Sequence, residues 1–181
     1  MTHPEIVQVE DLQFEIYIKE EEIQEQIEQI AKNLDESLID SNPLFLGVLN
    51  GSFVFMADLV RACKMDLELR FIRLKSYEGT TSTGTIISED KLSLDFKDRN
   101  VVIVEDIIDS GLTMSWLLEK IFSGGAKSVK VVSLLLKPNS LKHKIQIDYV
   151  GFEIPDNFVV GYGLDYNGKG RNLRNIYTLK G

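Results

Sequence analysis

Between residues 20 and 38, apolar residues recur at Ile23, Ile27, Ile30, Ala31, Leu34 and Leu38, a helical period that predicts an amphipathic helix with one wet face. Pro43 closes that pattern, and the apolar run 44–49 predicts a short buried strand. Gly51 breaks the run, and Ser52 is placed to cap a second helix running to about Cys63. Over 66–75 an imperfect alternation predicts a strand with Leu67, Leu69 and Phe71 inward and Glu68, Arg70 and Ile72 outward. Residues 76–84 are polar and glycine-punctuated, which predicts a mobile loop. The run 101–104 is wholly β-branched, the mark of a central parallel strand covered on both faces. A helix is expected over 112–122, ending at Gly124-Gly125, and further strands over 129–136, 149–154 and 158–160. Strands alternating with helices predict an α/β architecture with a mainly parallel sheet, whose ligands sit at the carboxyl ends of the strands. No repeat or linker interrupts the pattern, so residues 1–181 read as a single domain.

Composition adds limits. Hydrophobic residues make up 44% and charged residues 27%, values of an ordinary globular chain. Met1-Thr2-His3-Pro4-Glu5 has no basic stretch leading into an apolar core, and no apolar run approaches a membrane span. A cytoplasmic protein with no membrane partner is therefore expected. Cys63 is the one cysteine; it cannot form an internal disulfide and is expected to be a buried structural thiol. The formal charge of −8, with no basic stripe, argues against a nucleic-acid partner. An anionic ligand must then be held by backbone N–H groups, a few placed cations, or a metal ion between carboxylate and phosphate.

Such means are concentrated in residues 101–113, Val-Val-Ile-Val-Glu-Asp-Ile-Ile-Asp-Ser-Gly-Leu-Thr. An apolar strand runs into the acids Glu105 and Asp106, then into a turn that opens a helix. The unpaired N–H groups of that helix start, with the hydroxyls of Ser110 and Thr113, suit a phosphate monoester. Gly111 lets the backbone approach closely. The two acids suit ribose hydroxyls and a divalent cation that prefers hard oxygen ligands. Strand alternation points them to opposite sides, so the chain must turn sharply if both serve one ligand. The bland alternative is that Asp109 and Ser110 only cap a helix while Glu105 and Asp106 are solvated. Neither a nucleotide P-loop nor a dinucleotide fingerprint is present.

This segment resembles the phosphoribosyl pyrophosphate motif of type I phosphoribosyltransferases. Other segments are similar to the hypoxanthine-guanine branch of that family, in the same order over roughly residues 46 to 174. Leu49-Asn50-Gly51-Ser52 resembles its pyrophosphate loop, Ser76-Tyr77 the start of its mobile lid, and Leu136-Lys137-Pro138 the site of its base-recognition lysine. Residues 150–167 are similar to its carboxyl-terminal segment. The resemblance implies a type I phosphoribosyltransferase fold: a mainly parallel sheet flanked by helices, a small hood formed by terminal segments, and a mobile lid loop. It implies Mg²⁺-dependent transfer of the 5-phosphoribosyl group from phosphoribosyl pyrophosphate to a 6-oxopurine, by a homodimer or homotetramer.

Residue by residue, the resemblance implies that Asp109 is general base or acid at N7 of the purine, and that Glu105 and Asp106 meet the ribose hydroxyls and Mg²⁺. The segment Asp109, Ser110, Gly111, Leu112 and Thr113 holds the 5-phosphate. Lys137 donates to O6, Phe158 stacks on the base and the Val159 backbone reads its edge. Asn50, Gly51 and Arg171 contact pyrophosphate, Asp165 is a second metal position, and Ser76 and Tyr77 belong to the lid. Leu112 and Asn50 depart from the family pattern, each at a place where relatives have lysine, and the lid differs in detail at Glu78-Gly79-Thr80-Thr81. The family often has a non-proline cis peptide at the Asn50 position, and the sequence leaves open whether it is kept. Two other function classes remain: a regulatory nucleic-acid-binding module of this fold, disfavoured by the acidic charge, and a xanthine- or adenine-preferring relative, the latter disfavoured by Lys137.

Overall fold

The computed structural model describes residues 4–39, 41–77, 85–88 and 95–181. Its elements run β1 (Ile6–Val9), β2 (Leu12–Ile18), α1 (Glu20–Leu38), β3 (Leu44–Leu49), α2 (Phe53–Ala62), β4 (Glu68–Tyr77) and β5 (Thr85–Ser88), then β6 (Asn100–Ile108), α3 (Leu112–Ser123), β7 (Ser128–Leu136), a 3₁₀ turn (Pro138–Ser140), β8 (Tyr149–Glu153), β9 (Val159–Val160) and β10 (Ile176–Leu179). Six strands form one sheet in the order β5-β4-β3-β6-β7-β8, parallel except for β5. A second, antiparallel sheet, β1-β2-β10-β9, joins the two ends of the chain and is the expected hood.

The α1 stripe is buried as its spacing predicts. Its start is fixed by Glu22, which accepts the Lys19 backbone N–H at 3.0 Å, and by three acids in the first turn, favourable at the positive end of a helix. On one face of the large sheet, α1 and α2 enclose Phe45, Val102, Val104 and Val132; Ile18, Val159 and Ile176 of the hood join the same cluster. On the other face, Met114, Leu117 and Ile121 of α3 pack with Leu44, Leu46, Val101 and Ile103. α3 ends at Gly124, followed by Gly125 at φ 84°. Among the described residues, no helix is long and apolar enough to cross a membrane.

Several expectations need correction. Ser52 precedes α2 but does not cap it; its hydroxyl donates to the Val48 carbonyl at 2.6 Å, tying the helix start back to β3. Cys63 is half-buried at the end of α2 rather than within the helix; burial, and then Asp35, push its thiol up to about 12, leaving it protonated and unreactive. The faces of β4 are reversed: Ile72 is 1% exposed, whereas Leu69 and Phe71 are 36% and 41% exposed. Ile72 pairs with Val48 and joins the α3-side cluster, while α2 packs over β3 and β6 and leaves the β4 end of its face open. Of the loop expected at 76–84, Ser76 and Tyr77 belong instead to β4 and pair with Ile86 and Thr85 of β5, and residues 78–84 lie outside the described residues.

Candidate active site

β6 continues past Val104 to Ile108, so Glu105 and Asp106 lie inside the strand, not beyond its end. The chain does not turn sharply there; the sheet breaks its ladder instead. Pairing of β6 with β7 runs to Glu105↔Ser133 and resumes at Ile107↔Leu135, while pairing of β7 with β8 runs to Ser133↔Val150 and resumes at Leu135↔Phe152. Asp106, Leu134 and Gly151 are skipped at one level across three strands. The faces swap across this level. Val102 and Val104 lie on the α1–α2 side with Ile107, whereas Ile103 lies on the α3 side with Ile108. Ser133 is fully buried and donates its hydroxyl to the Leu135 carbonyl at 2.6 Å, and a Cβ on Gly151 would lie 2.6 Å from the Leu134 oxygen. The break frees the N–H groups of Asp106 and Ile107 to meet the Asp106 carboxylate. Sequence reading passed over Ser133 and Gly151. The available signal was one hydroxyl inside the apolar run 131–136.

Glu105 and Asp106 thereby reach each other. Burial, and then the Asp106 charge, push Glu105 well above the usual carboxylate range; protonated, it donates to Asp106. Burial raises Asp106 as well, opposed by that hydrogen bond, by the two N–H groups and by the Arg171 charge. Because both groups are raised on folding, the folded protein binds protons that the unfolded chain releases. The pair therefore weakens the ligand-free fold above the usual carboxylate range and ceases to do so as pH falls through it. Glu105→Gln is expected to raise the melting temperature of the ligand-free protein at pH 8, by about 2–4 °C for each kcal/mol gained, with less gain near pH 5. A lower melting temperature for this variant at pH 8 would contradict the assignment.

A cavity of about 450 Å³ opens at the carboxyl ends of β3 and β6. It is lined by Leu49, Glu105, Asp106 and the whole turn from Asp109 to Thr113. Gly111 stands at φ 79° before the first turn of α3, a conformation glycine adopts without strain. The Ser110 hydroxyl accepts the Leu112 N–H at 3.4 Å. The start of a 12-residue helix thus faces the cavity with N–H groups that lack intrahelical partners.

The remaining candidates do not line this cavity, though some are tied to residues that do. Lys137 follows β7, is largely buried, and places Nζ 3.3 Å from the Asp109 carboxylate, which is 57% exposed. The Leu49–Asn50 peptide is cis, and the Asn50 amide oxygen accepts from Arg73 at 3.1 Å. Gly51 lies against Asp106 so closely that a Cβ would fall 1.6 Å from its carboxylate, and a Cβ on Gly163 would fall 2.0 Å from the Gly51 carbonyl. Arg171 holds this corner, donating to the Gly163 carbonyl at 2.6 Å and pairing with Asp165 at 2.6 Å. Asp165 also accepts the Gly168 N–H at 2.6 Å. It does not join the other two acids: among the described residues, no three His, Cys, Asp or Glu side chains form a metal-binding group. The turn between Gly161 and Gly163 is held from below by the Tyr162 hydroxyl, which donates to Asp58 at 2.5 Å.

Phe158 and Val159 come from the hood side. Phe158 is 42% exposed and rests against Phe14 and Tyr166, with ring centroids 5.9 and 5.7 Å away. Val159 is buried and pairs with Thr178 of β10. This segment is fastened near Lys137 by Ile154 N–H to the Leu136 carbonyl at 2.8 Å and Ser140 to Asp156 at 2.5 Å. The structure thus brings together the turn from Asp109 to Thr113, Glu105 and Asp106, the Asp109–Lys137 pair, and the corner of Gly51, Gly163 and Arg171. Ser76 and Tyr77 are described only as backbone of β4.

Residues 15–167 match the phosphoribosyl transferase domain. The hypoxanthine-guanine phosphoribosyltransferase of Bacillus subtilis is 45% identical over 166 residues, covering 91% of this chain and 92% of that protein. The crystal structure of a hypoxanthine phosphoribosyltransferase from Staphylococcus aureus is similar with a TM-score of 0.88 at 38% identity, covering 92% of this chain and 91% of that one. A Trypanosoma cruzi hypoxanthine phosphoribosyltransferase variant, solved as a ternary substrates complex, gives 0.85 at 38% identity, covering 91% of this chain and 94% of that one. With the cavity at the strand ends, these likenesses show that the chain belongs to the phosphoribosyl transferase domain family, in its hypoxanthine-guanine branch.

Proposed function

We infer that this protein is a purine salvage enzyme that transfers the 5-phosphoribosyl group from phosphoribosyl pyrophosphate to hypoxanthine or guanine, giving the nucleotide and pyrophosphate. The observation that carries the reading is one cavity lined by a helix-start turn, two buried acids and Asp109, with Lys137 paired to that Asp109. In the proposed reaction, the C1–pyrophosphate bond breaks as the purine nitrogen arrives, and positive charge develops on the sugar. Asp109, exposed and 3.3 Å from Lys137, takes or returns the N7 proton and faces the developing charge. Ser110 to Thr113 hold the 5-phosphate through backbone N–H groups. Glu105 and Asp106 bind the ribose hydroxyls, and Phe158 stacks on the purine while the Val159 backbone reads its edge. Asn50, Gly51 and Arg171 contact pyrophosphate.

The buried, proton-sharing pair of Glu105 and Asp106 is a donor set that suits a hard divalent cation. Glu105 and Asp106 would hold Mg²⁺, which would supply positive charge to stabilise the departing pyrophosphate. Asp165, engaged by Arg171, would contribute through water. A single-domain, cytoplasmic homodimer or homotetramer is proposed. The hood and sheet share one core, which supports a single domain, and the exposed Leu69 and Phe71 on one face of β4 favour self-association.

Lys137 supplies the test. Adenine presents a donor where a 6-oxopurine presents an acceptor, and a buried mismatch costs about 1–3 kcal/mol, or about 5- to 150-fold in kcat/KM. Initial rates on hypoxanthine, guanine, xanthine and adenine are expected to place adenine last, with Lys137→Met narrowing the gap. Adenine used as well as hypoxanthine by the unaltered enzyme would overturn the assignment.

A further inference from the structure

The cavity that receives the 5-phosphate in this reading has a charge problem. Asp106 and Asp109 line it, and Leu112 at the start of α3 brings no charge. Helix-start N–H groups supply about half a positive charge, too little for a phosphate dianion facing acids. Lys137 is already paired with Asp109. Among the described residues that line the cavity, Lys142 is the one with a cationic side chain.

Its place is fixed by the phosphate turn itself. The Lys142 N–H donates to the Ser110 carbonyl at 3.0 Å, and the His143 N–H donates to the same oxygen at 3.2 Å. Gly111 packs against this segment closely enough that a Cβ there would lie 3.3 Å from the His143 carbonyl and from a Leu141 methyl. The backbone of Lys142 is therefore clamped to the turn while its side chain stays exposed. Among the described residues, no carboxylate forms an ion pair with it.

We propose that Lys142 is a further phosphate-binding residue, whose ammonium pairs with the 5-phosphate of phosphoribosyl pyrophosphate and of the product nucleotide. This rests on the phosphate reading of Ser110 to Thr113. A cation carried by the 141–143 segment, beside the turn rather than within it, answers the charge that Leu112 leaves unanswered.

The test compares the unaltered enzyme with Lys142→Gln, Lys142→Arg, and Lys142→Gln combined with Leu112→Lys. For Lys142→Gln the KM for phosphoribosyl pyrophosphate is expected to rise about 10-fold, with kcat and the KM for hypoxanthine within about twofold. Its dependence on salt concentration should flatten, because one ion pair is lost. Lys142→Arg should keep the original KM, and adding Leu112→Lys should recover most of the loss by returning a cation to the same phosphate. A purely structural role would raise both KM values and would not be rescued by a charge at residue 112. An unchanged KM in Lys142→Gln, an equal rise for both substrates, or no recovery in the double variant would overturn the proposal. Binding of inosine monophosphate and inosine to the unaltered enzyme separates the two layers. No preference for the nucleotide would overturn the phosphate turn itself.

Discussion

Asp109→Asn is expected to lower turnover of hypoxanthine by about 10²- to 10⁴-fold, the range for loss of a positioned general acid or base. The fold should not change. Asp109 is 57% exposed, and the contact recorded for its carboxylate is Lys137 Nζ at 3.3 Å, which an asparagine oxygen can still accept. The melting temperature and the KM for phosphoribosyl pyrophosphate should therefore stay near those of the unaltered protein while kcat falls. Turnover within a few-fold of the original would remove Asp109 from the chemistry and leave it as a helix-start residue.

Gly51→Ala should be almost as damaging, for a different reason. The added methyl would lie 1.6 Å from the Asp106 carboxylate, where no atom fits. The nearest obstacle is a side-chain end, so Asp106 must swing away from Glu105 while the backbone largely holds. A displacement of about 1 Å in a positioned group costs about 100-fold, which is the loss expected in kcat/KM for phosphoribosyl pyrophosphate. Gly163→Ala differs: there the clash, at 2.0 Å, is with the Gly51 carbonyl, and φ is 100°. Backbone must move, so stability should fall along with activity. Steady-state kinetics beside thermal melting separates the two patterns. Activity of Gly51→Ala within about threefold of the original would mean that Asp106 need not stay where it is.

The contrast between these glycines shows what local pattern can reveal. The stripe of α1, the apolar runs of β3 and β7, and the Gly124-Gly125 stop of α3 are written in neighbouring residues, and they were legible. So was the gathering of residues 105–113 at one cavity, because the acids, the glycine and the hydroxyls lie close together along the chain. The hood strands β1, β2 and β10 were not read individually, because their pairing joins opposite ends of the chain, as in Phe14 with Leu179. The inner face of β4 was misassigned because its alternation holds apolar residues on both faces, and only the position of α2 decides which is covered. The ladder break at Asp106, Leu134 and Gly151 belongs to three strands at once, and its one local trace is the Ser133 hydroxyl within an apolar run. The clasp of Gly163 on Gly51 is likewise a meeting of distant loops.

The central claim is a reaction, and one assay reaches it directly: purified protein incubated with hypoxanthine and phosphoribosyl pyrophosphate, with and without Mg²⁺. Nucleotide and pyrophosphate should form in equal amounts with the metal ion, and both should cease when it is chelated. A folded protein that forms no nucleotide from hypoxanthine or guanine in the presence of Mg²⁺ would contradict the account.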